Sequence, residues 1–148
     1  MTTVDTGAVQ LALRGLALAC PQLPAARAWA TRELKRTQGT AYVEEDFQPQ
    51  PGQLYGSRLG GTVNGRGLYL LRVFYPSMTD LPVITTTLDA LLASYPPGKP
   101  VTIATAGVSL RVRENPTPWR GGLLPGGEGF SLCVLTVAWE TYSQNPTS

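Results

Sequence analysis

The stretch Phe130-Ser-Leu-Cys-Val-Leu-Thr-Val-Ala-Trp-Glu-Thr-Tyr142 contains neither glycine nor proline and is rich in β-branched and aromatic types. Such a run fits a pleated surface far better than a helix, so it predicts a strand. Alternation puts Phe130, Leu132, Val134 and Ala138 on one face and Cys133, Leu135, Val137 and Trp139 on the other. Both faces are largely apolar, so the strand needs cover on both sides. It is expected at the centre of a sheet, with helices on one face and further sheet or another subunit on the other.

A second strand of similar strength runs from Leu68 to Tyr75. Tyr69, Leu71, Val73 and Tyr75 share one of its faces, and Leu68, Leu70, Arg72 and Phe74 share the other. Asn64-Gly65 just before it is a type I′ hairpin signal, because this pair tolerates positive φ. Thr40 to Phe47 reads as a further strand. Its three acids Glu44, Glu45 and Asp46 cannot all converge on a metal, since neighbours in a strand point to opposite faces, and they read as a solvated edge. Gln48 to Gly61, with its prolines and glycines, reads as a long exposed loop or strand arm.

Two helices are predicted. Asp5 or Thr6 caps the first, which runs to about Ala19 with Val9, Leu13, Leu16, Ala17 and Cys20 on one stripe, widened by Leu11 and Leu18. Pro21 and Pro24 stop it. Thr79 or Asp80 caps the second, which has Pro82 in its first turn and a buried stripe of Leu81, Ile84, Leu88, Leu91, Leu92 and Tyr95. Pro96-Pro97-Gly98 ends it. Ala25 to Arg36 fits a short helix or a strand around Trp29. Val101 to Ala104 and Val108 to Arg113 form a short hairpin about Thr105-Ala106-Gly107, with Val108, Leu110 and Val112 inward and Ser109, Arg111 and Arg113 in solvent. Asn115 to Gly129 reads as a second loop, and the chain from about Ser143 as a frayed tail. The element order gives one domain over residues 1–148 of the α+β class, a mixed, largely antiparallel sheet packed against two helices.

Composition removes several functions. Twelve Lys plus Arg against ten Asp plus Glu leave +2, too balanced for a dedicated nucleic-acid binder. The chain has no histidine, which removes the commonest general base and transition-metal ligand. Cys20 and Cys133 read as buried small hydrophobes, which fits a reducing compartment, and no cofactor or metal site is expected. No apolar run reaches the ~18 residues of a membrane span. Leu16 to Cys20 faintly imitates a lipoprotein cleavage site, but no basic residue precedes it and Arg14 interrupts it. Gly121-Gly122 and Gly126-Gly127 lack the following helix of a phosphate loop, and no serine has an evident activator. A carboxylate pair such as Glu128 with Glu140 stays open as acid and base, although the other acid–base templates fail and no enzyme is expected. The loop aromatics Tyr55 and Trp119 fit either core plugs or, beside arginine, interface anchors.

Taken in order, a short N-terminal helix, Tyr42-Val43-Glu44, a Gly-rich arm, Gly67 to Pro76, a Leu-rich helix ending at Tyr95 to Gly98, Pro118-Trp119-Arg120-Gly121 and the terminal strand resemble the small tail-terminator or tail-completion proteins of long non-contractile phage tails. The resemblance covers nearly the whole chain and rests on element order and loose apolar motifs. It implies a virion structural protein: a ring, typically a hexamer, that caps the tail tube, stops its polymerisation and offers a surface to the head-tail connector. The implied partners are further copies of the chain, the major tail tube protein and the connector. DNA would pass through the ring without being read in sequence. The protein would occupy the head-proximal end of the tail and the host cytoplasm during assembly. Contact segments are expected at Gln50 to Gly61 and Asn115 to Gly129, with Tyr55, Arg58, Trp119 and Arg120 as named candidates. A neck or head-completion protein of similar size and, more distantly, a small monomeric enzyme or ligand-binding module are the alternatives.

Overall fold

The computed structural model describes residues 6–24, 26–28, 40–55, 62–103, 108–127 and 129–144. Among them are helices α1 (Thr6–Leu18) and α2 (Leu81–Ala93) and strands β1 (Ala26–Ala28), β2 (Tyr42–Tyr55), β3 (Thr62–Pro76), β4 (Pro100–Val101), β5 (Val108–Val112), β6 (Trp119–Arg120), β7 (Leu124–Gly127) and β8 (Phe130–Gln144). The sheet order is β1-β2-β3-β8-β5-β4, with β6 and β7 also paired to β8. Only β1 and β2 run parallel; every other described pair is antiparallel. The fold is therefore α+β with a mixed, largely antiparallel sheet.

The terminal strand is central, as its two apolar faces require. β3 pairs with it along its whole length, from Thr62↔Gln144 to Pro76↔Phe130. β7, β6 and β5 share its other side in succession. Cys133, Leu135, Val137 and Trp139 face the helices and enter one core with Tyr69, Leu71, Val73 and Tyr75 of β3, Val9, Leu13 and Ala17 of α1, and Ile84, Leu88 and Leu91 of α2. On the opposite face Tyr42, Phe74 and Phe130 form a second cluster, flanked by Leu132. There Tyr42 stacks on Phe74 at 4.4 Å between ring centres and meets Phe130 edge-on at 5.2 Å.

The structure decides between several sequence expectations and corrects others. Asn64-Gly65 is not a turn, because it lies inside β3, where Asn64 is paired with Gln53 on one side and Tyr142 on the other. The Gln48 to Gly61 segment is an arm in its first part: β2 continues to Tyr55 through a register shift between Gln50 and Gln53. Asn115 to Gly129 is not simply a loop, since β6 and β7 within it are bonded to β8. The undecided Ala25 to Arg36 region contributes β1, and its remainder lies outside the described residues. The expected turn at 105–107 also lies outside them, while its flanking arms pair as anticipated.

The acids of β2 are not a solvated edge. Glu45 points into the core, its side chain fully buried. Arg14 grips it through Nε at 3.0 Å and Nη2 at 2.6 Å, and Gln10 and the Tyr69 hydroxyl donate at 2.6 and 2.5 Å. Burial pushes this carboxyl up, but the hydrogen bonds from Arg14, Tyr69 and Gln10, with the Arg14 charge, outweigh it and hold it below the usual carboxylate range. Asp46, on the other face, pairs with Arg72 at 2.9 Å.

Gly67 is explained by a close approach. Trp139 lies across it, stacked on Phe47 at 5.4 Å between ring centres. A Cβ at this position would meet Trp139 Cζ2 at 2.7 Å and collide with the Gln48 carbonyl oxygen.

Candidate assembly surface

The helix α2 follows β3 closely in the chain. β3 finishes at Pro76, Asp80 takes the N-cap position and Pro82 lies in the first turn. Ile84, Leu88 and Leu91 follow the buried stripe. Leu81 is 57 % exposed and Val83 54 %, contrary to the expectation that Leu81 is buried. Met78, just before the helix, is almost wholly in solvent.

The segment carrying β6 and β7 holds further exposed apolar side chains. Trp119 pairs with Thr136 and Arg120 with Leu135, while Leu124 pairs with Leu132. The Gly121 amide donates to the Val134 carbonyl at 3.1 Å, and the Cys133 thiol donates to the Gly121 carbonyl at 3.1 Å. These bonds fix the backbone while Trp119, Leu123 and Leu124 stay exposed. Burial pushes the Cys133 thiol up, in keeping with its inert role.

Two links tie the segments together. Arg120 Nε meets Asp89 Oδ1 of α2 at 3.0 Å, and the Ser77 amide donates to the Gly129 carbonyl at 2.8 Å. Six of the eight large apolar side chains exposed among the described residues lie in these two segments: Met78, Leu81, Val83, Trp119, Leu123 and Leu124. The register divides them between the two faces of the sheet: Trp119 and Leu124 pair with Thr136 and Leu132, on the side of β8 away from the helices, whereas Arg120 pairs with Leu135 and turns toward Asp89 of α2. Exposed apolar side chains of this kind, one of them aromatic, suit contact with another protein. On the helix side, Asp89, Leu92, Tyr95, Pro96, Thr117 and Pro118 line an open groove of about 560 Å³.

Of the residues named from sequence, Trp119 and Arg120 form β6, with their side chains on opposite faces of the sheet. Trp119 is 43 % exposed, which decides between a core plug and a surface anchor in favour of the surface. Tyr55 ends β2 on the arm, a different part of the sheet, and Arg58 lies outside the described residues, so the structure does not bring the four together. Glu128 also lies outside them. Glu140 is engaged by Arg111 at 2.6 Å and approached by Arg113 at 3.9 Å, so these arginines are not merely a solvated face. Among the described residues no cluster of three or more His, Cys, Asp or Glu is placed to hold a metal, and no helix is long and apolar enough to cross a membrane.

Sequence reading missed Met78, Leu81, Val83, Leu123 and Leu124. One signal was available: Leu81-Pro82-Val83 and Leu123-Leu124 place consecutive apolar residues where a single buried stripe or strand face accepts only alternate ones.

No known protein family matches the chain, and no curated protein does. Solved structures do. One, known only by a sequence identifier, superimposes with a TM-score of 0.63 at 17 % identity over 92 % of each chain. Another is a chain from the virion of a native gene transfer agent particle, with a TM-score of 0.55 at 11 % identity, covering 97 % of this chain and 100 % of that one. This chain therefore shares its fold, nearly end to end, with a component of a virion particle.

Proposed function

We propose that the protein is a non-enzymatic structural component of a phage-type virion and, within that class, a tail terminator. In this reading it forms a ring, expected to be a hexamer, that sits on the last ring of the tail tube, halts polymerisation and offers a surface to the head-side connector. The carrying observation is the near full-length match in fold to a gene transfer agent virion chain. The exposed apolar side chains Met78, Leu81, Val83, Trp119, Leu123 and Leu124 support it, because apolar surface of this kind suits contact with neighbouring proteins.

Mechanistically, a ring needs two different patches per subunit, because a head-to-tail contact closes only when each surface meets its complement on the next copy. Stopping a tube needs a subunit that binds its last ring without presenting the same surface again. The chemistry required is contact, not catalysis. The test is to add the purified protein to its tube protein during assembly. Tubes of uniform length with a ring at one end support the reading. A ring that binds the connector but leaves tube growth unchanged would assign the neck role instead.

A further inference from the structure

The polar cluster around Glu45 joins four elements at one point. The Glu45 side chain lies on β2, fully buried and paired in register with Leu71 of β3. From α1, Arg14 donates through Nε at 3.0 Å and Nη2 at 2.6 Å, and Gln10 donates through Nε2 at 2.6 Å. From β3 comes the Tyr69 hydroxyl, at 2.5 Å. From α2 comes Tyr95, its ring 6.2 Å from that of Tyr69 and its hydroxyl donating to the Leu13 carbonyl of α1 at 2.8 Å. Alternation puts the other acids of β2, Glu44 and Asp46, on the opposite face of the sheet, where Asp46 holds Arg72.

The helix α1 is held differently from the strands. Backbone groups of β3 and β8 are bonded to their neighbours, so neither strand leaves without exposing unpaired donors and acceptors. The ladder of α1 runs within the helix, which separates from the sheet with its own backbone bonds intact. What keeps it in place is the stripe of Val9, Leu13 and Ala17, together with the polar contacts to Glu45 and Tyr95. Of the groups in those polar contacts, the Glu45 carboxylate alone changes charge between neutral and acid pH. Arg14 stays cationic, and Tyr69 and Tyr95 stay neutral donors.

We propose that Glu45 is an acid-operated latch on α1: protonating it releases the helix from the sheet as a unit, while the strands and α2 stay folded. A neutral carboxyl leaves the Arg14 guanidinium without its counter-charge in a largely buried place, and part of that side chain already reaches solvent. The direction follows from the docked state. Burial raises the Glu45 carboxyl, but the hydrogen bonds from Arg14, Tyr69 and Gln10 outweigh it and hold it below its ordinary 4.5. The released form takes a proton at the ordinary value, so the latch is complete above 4.5 and loosens as pH falls toward the lower docked value. Release adds Val9, Leu13 and Ala17 to the already exposed Leu11 and Leu18. Acid thereby turns a docked element into a helix that is apolar on both sides, whether or not the protein forms a ring.

Amide hydrogen exchange of the full chain, followed peptide by peptide from about pH 7 to about pH 3 and corrected for intrinsic rates, tests the latch. Uptake of one proton on release sets the scale: α1 protection falls by at most about tenfold per pH unit. The wild type is expected to lose α1 protection along that slope below pH 4.5 while β3 and β8 keep theirs. Glu45→Gln is expected to show weaker α1 protection at neutral pH and no such slope. The paired change Arg14→Leu with Glu45→Leu removes both charges and strands neither, so it keeps the fold available even where Glu45→Gln loosens it. Its α1 protection is expected to be insensitive to acid. Loss of helix and strand protection at the same pH, α1 protection unchanged to the acid end, or an equal slope in the paired variant would each overturn the latch.

Discussion

Replacing Arg14 with leucine tests what holds α1 on the sheet. The Glu45 carboxylate is fully buried and takes two contacts from the guanidinium, at 3.0 and 2.6 Å. Hydrogen bonds to a charged group contribute about 1.5–3 kcal/mol, and stranding a buried charge costs about 3–5 kcal/mol. Arg14 keeps 20 % of its side chain in solvent, and Gln10 and Tyr69 still donate to Glu45 after the change. Both facts place the loss at the lower end, about 3 kcal/mol, or a fall of roughly 6–12 °C in Tm for a chain of this length. Urea unfolding of Arg14→Leu, Glu45→Leu and the double variant supplies a thermodynamic cycle. The double variant is expected to be no less stable than Arg14→Leu alone, because it no longer buries an uncompensated charge. Strictly additive losses, or an Arg14→Leu loss under about 0.5 kcal/mol, would show that the ion pair is not what fixes the helix.

Three further outcomes follow from the same geometry. The Glu45 carboxyl is held below its ordinary value of 4.5, so its contribution is present in full above that value and is lost as pH falls through the lower folded one. Acid unfolding should therefore be shallower on the acidic limb in Glu45→Gln than in the wild type, and identical limbs would contradict this. Gly67→Ala places a methyl group against Trp139 and the Gln48 carbonyl; a loss of about 1–3 kcal/mol is expected in denaturant unfolding, and a neutral result would mean that Trp139 does not lie across the strand as described. Trp119→Ala removes an exposed ring and should change stability by less than about 0.5 kcal/mol. The same change should reduce ring or tube binding in a sedimentation assay, and equal binding would remove this residue from the assembly surface.

The elements most legible in the sequence are those whose burial is decided locally. β8 and β3 announce themselves through period-two alternation, and both take the faces that alternation assigns, with Tyr69, Leu71, Val73 and Tyr75 inward. The breakers Pro21 and Pro96-Pro97-Gly98 lie just beyond the ends of α1 and α2. What was not legible depends on partners distant in the chain. Glu45 looks like one of three solvated acids until Arg14 and Tyr69, 31 and 24 residues away, are seen to enclose it. Asn64-Gly65 has turn chemistry, yet pairing on both sides holds it extended. Leu81 obeys the helical period yet stays exposed, and Leu11 and Leu18 widen the apolar stripe of α1 only to face solvent. Periodicity says which residues share a face; it does not say how far the surface beneath that face extends.

The most direct test of the account is the mass of the purified protein in light scattering, with negative-stain images of the same sample, alone and with tail tubes added. The account expects rings in solution, or a monomer converted to rings at one end of the tubes. A protein that stays monomeric with tubes and connectors both present would contradict it.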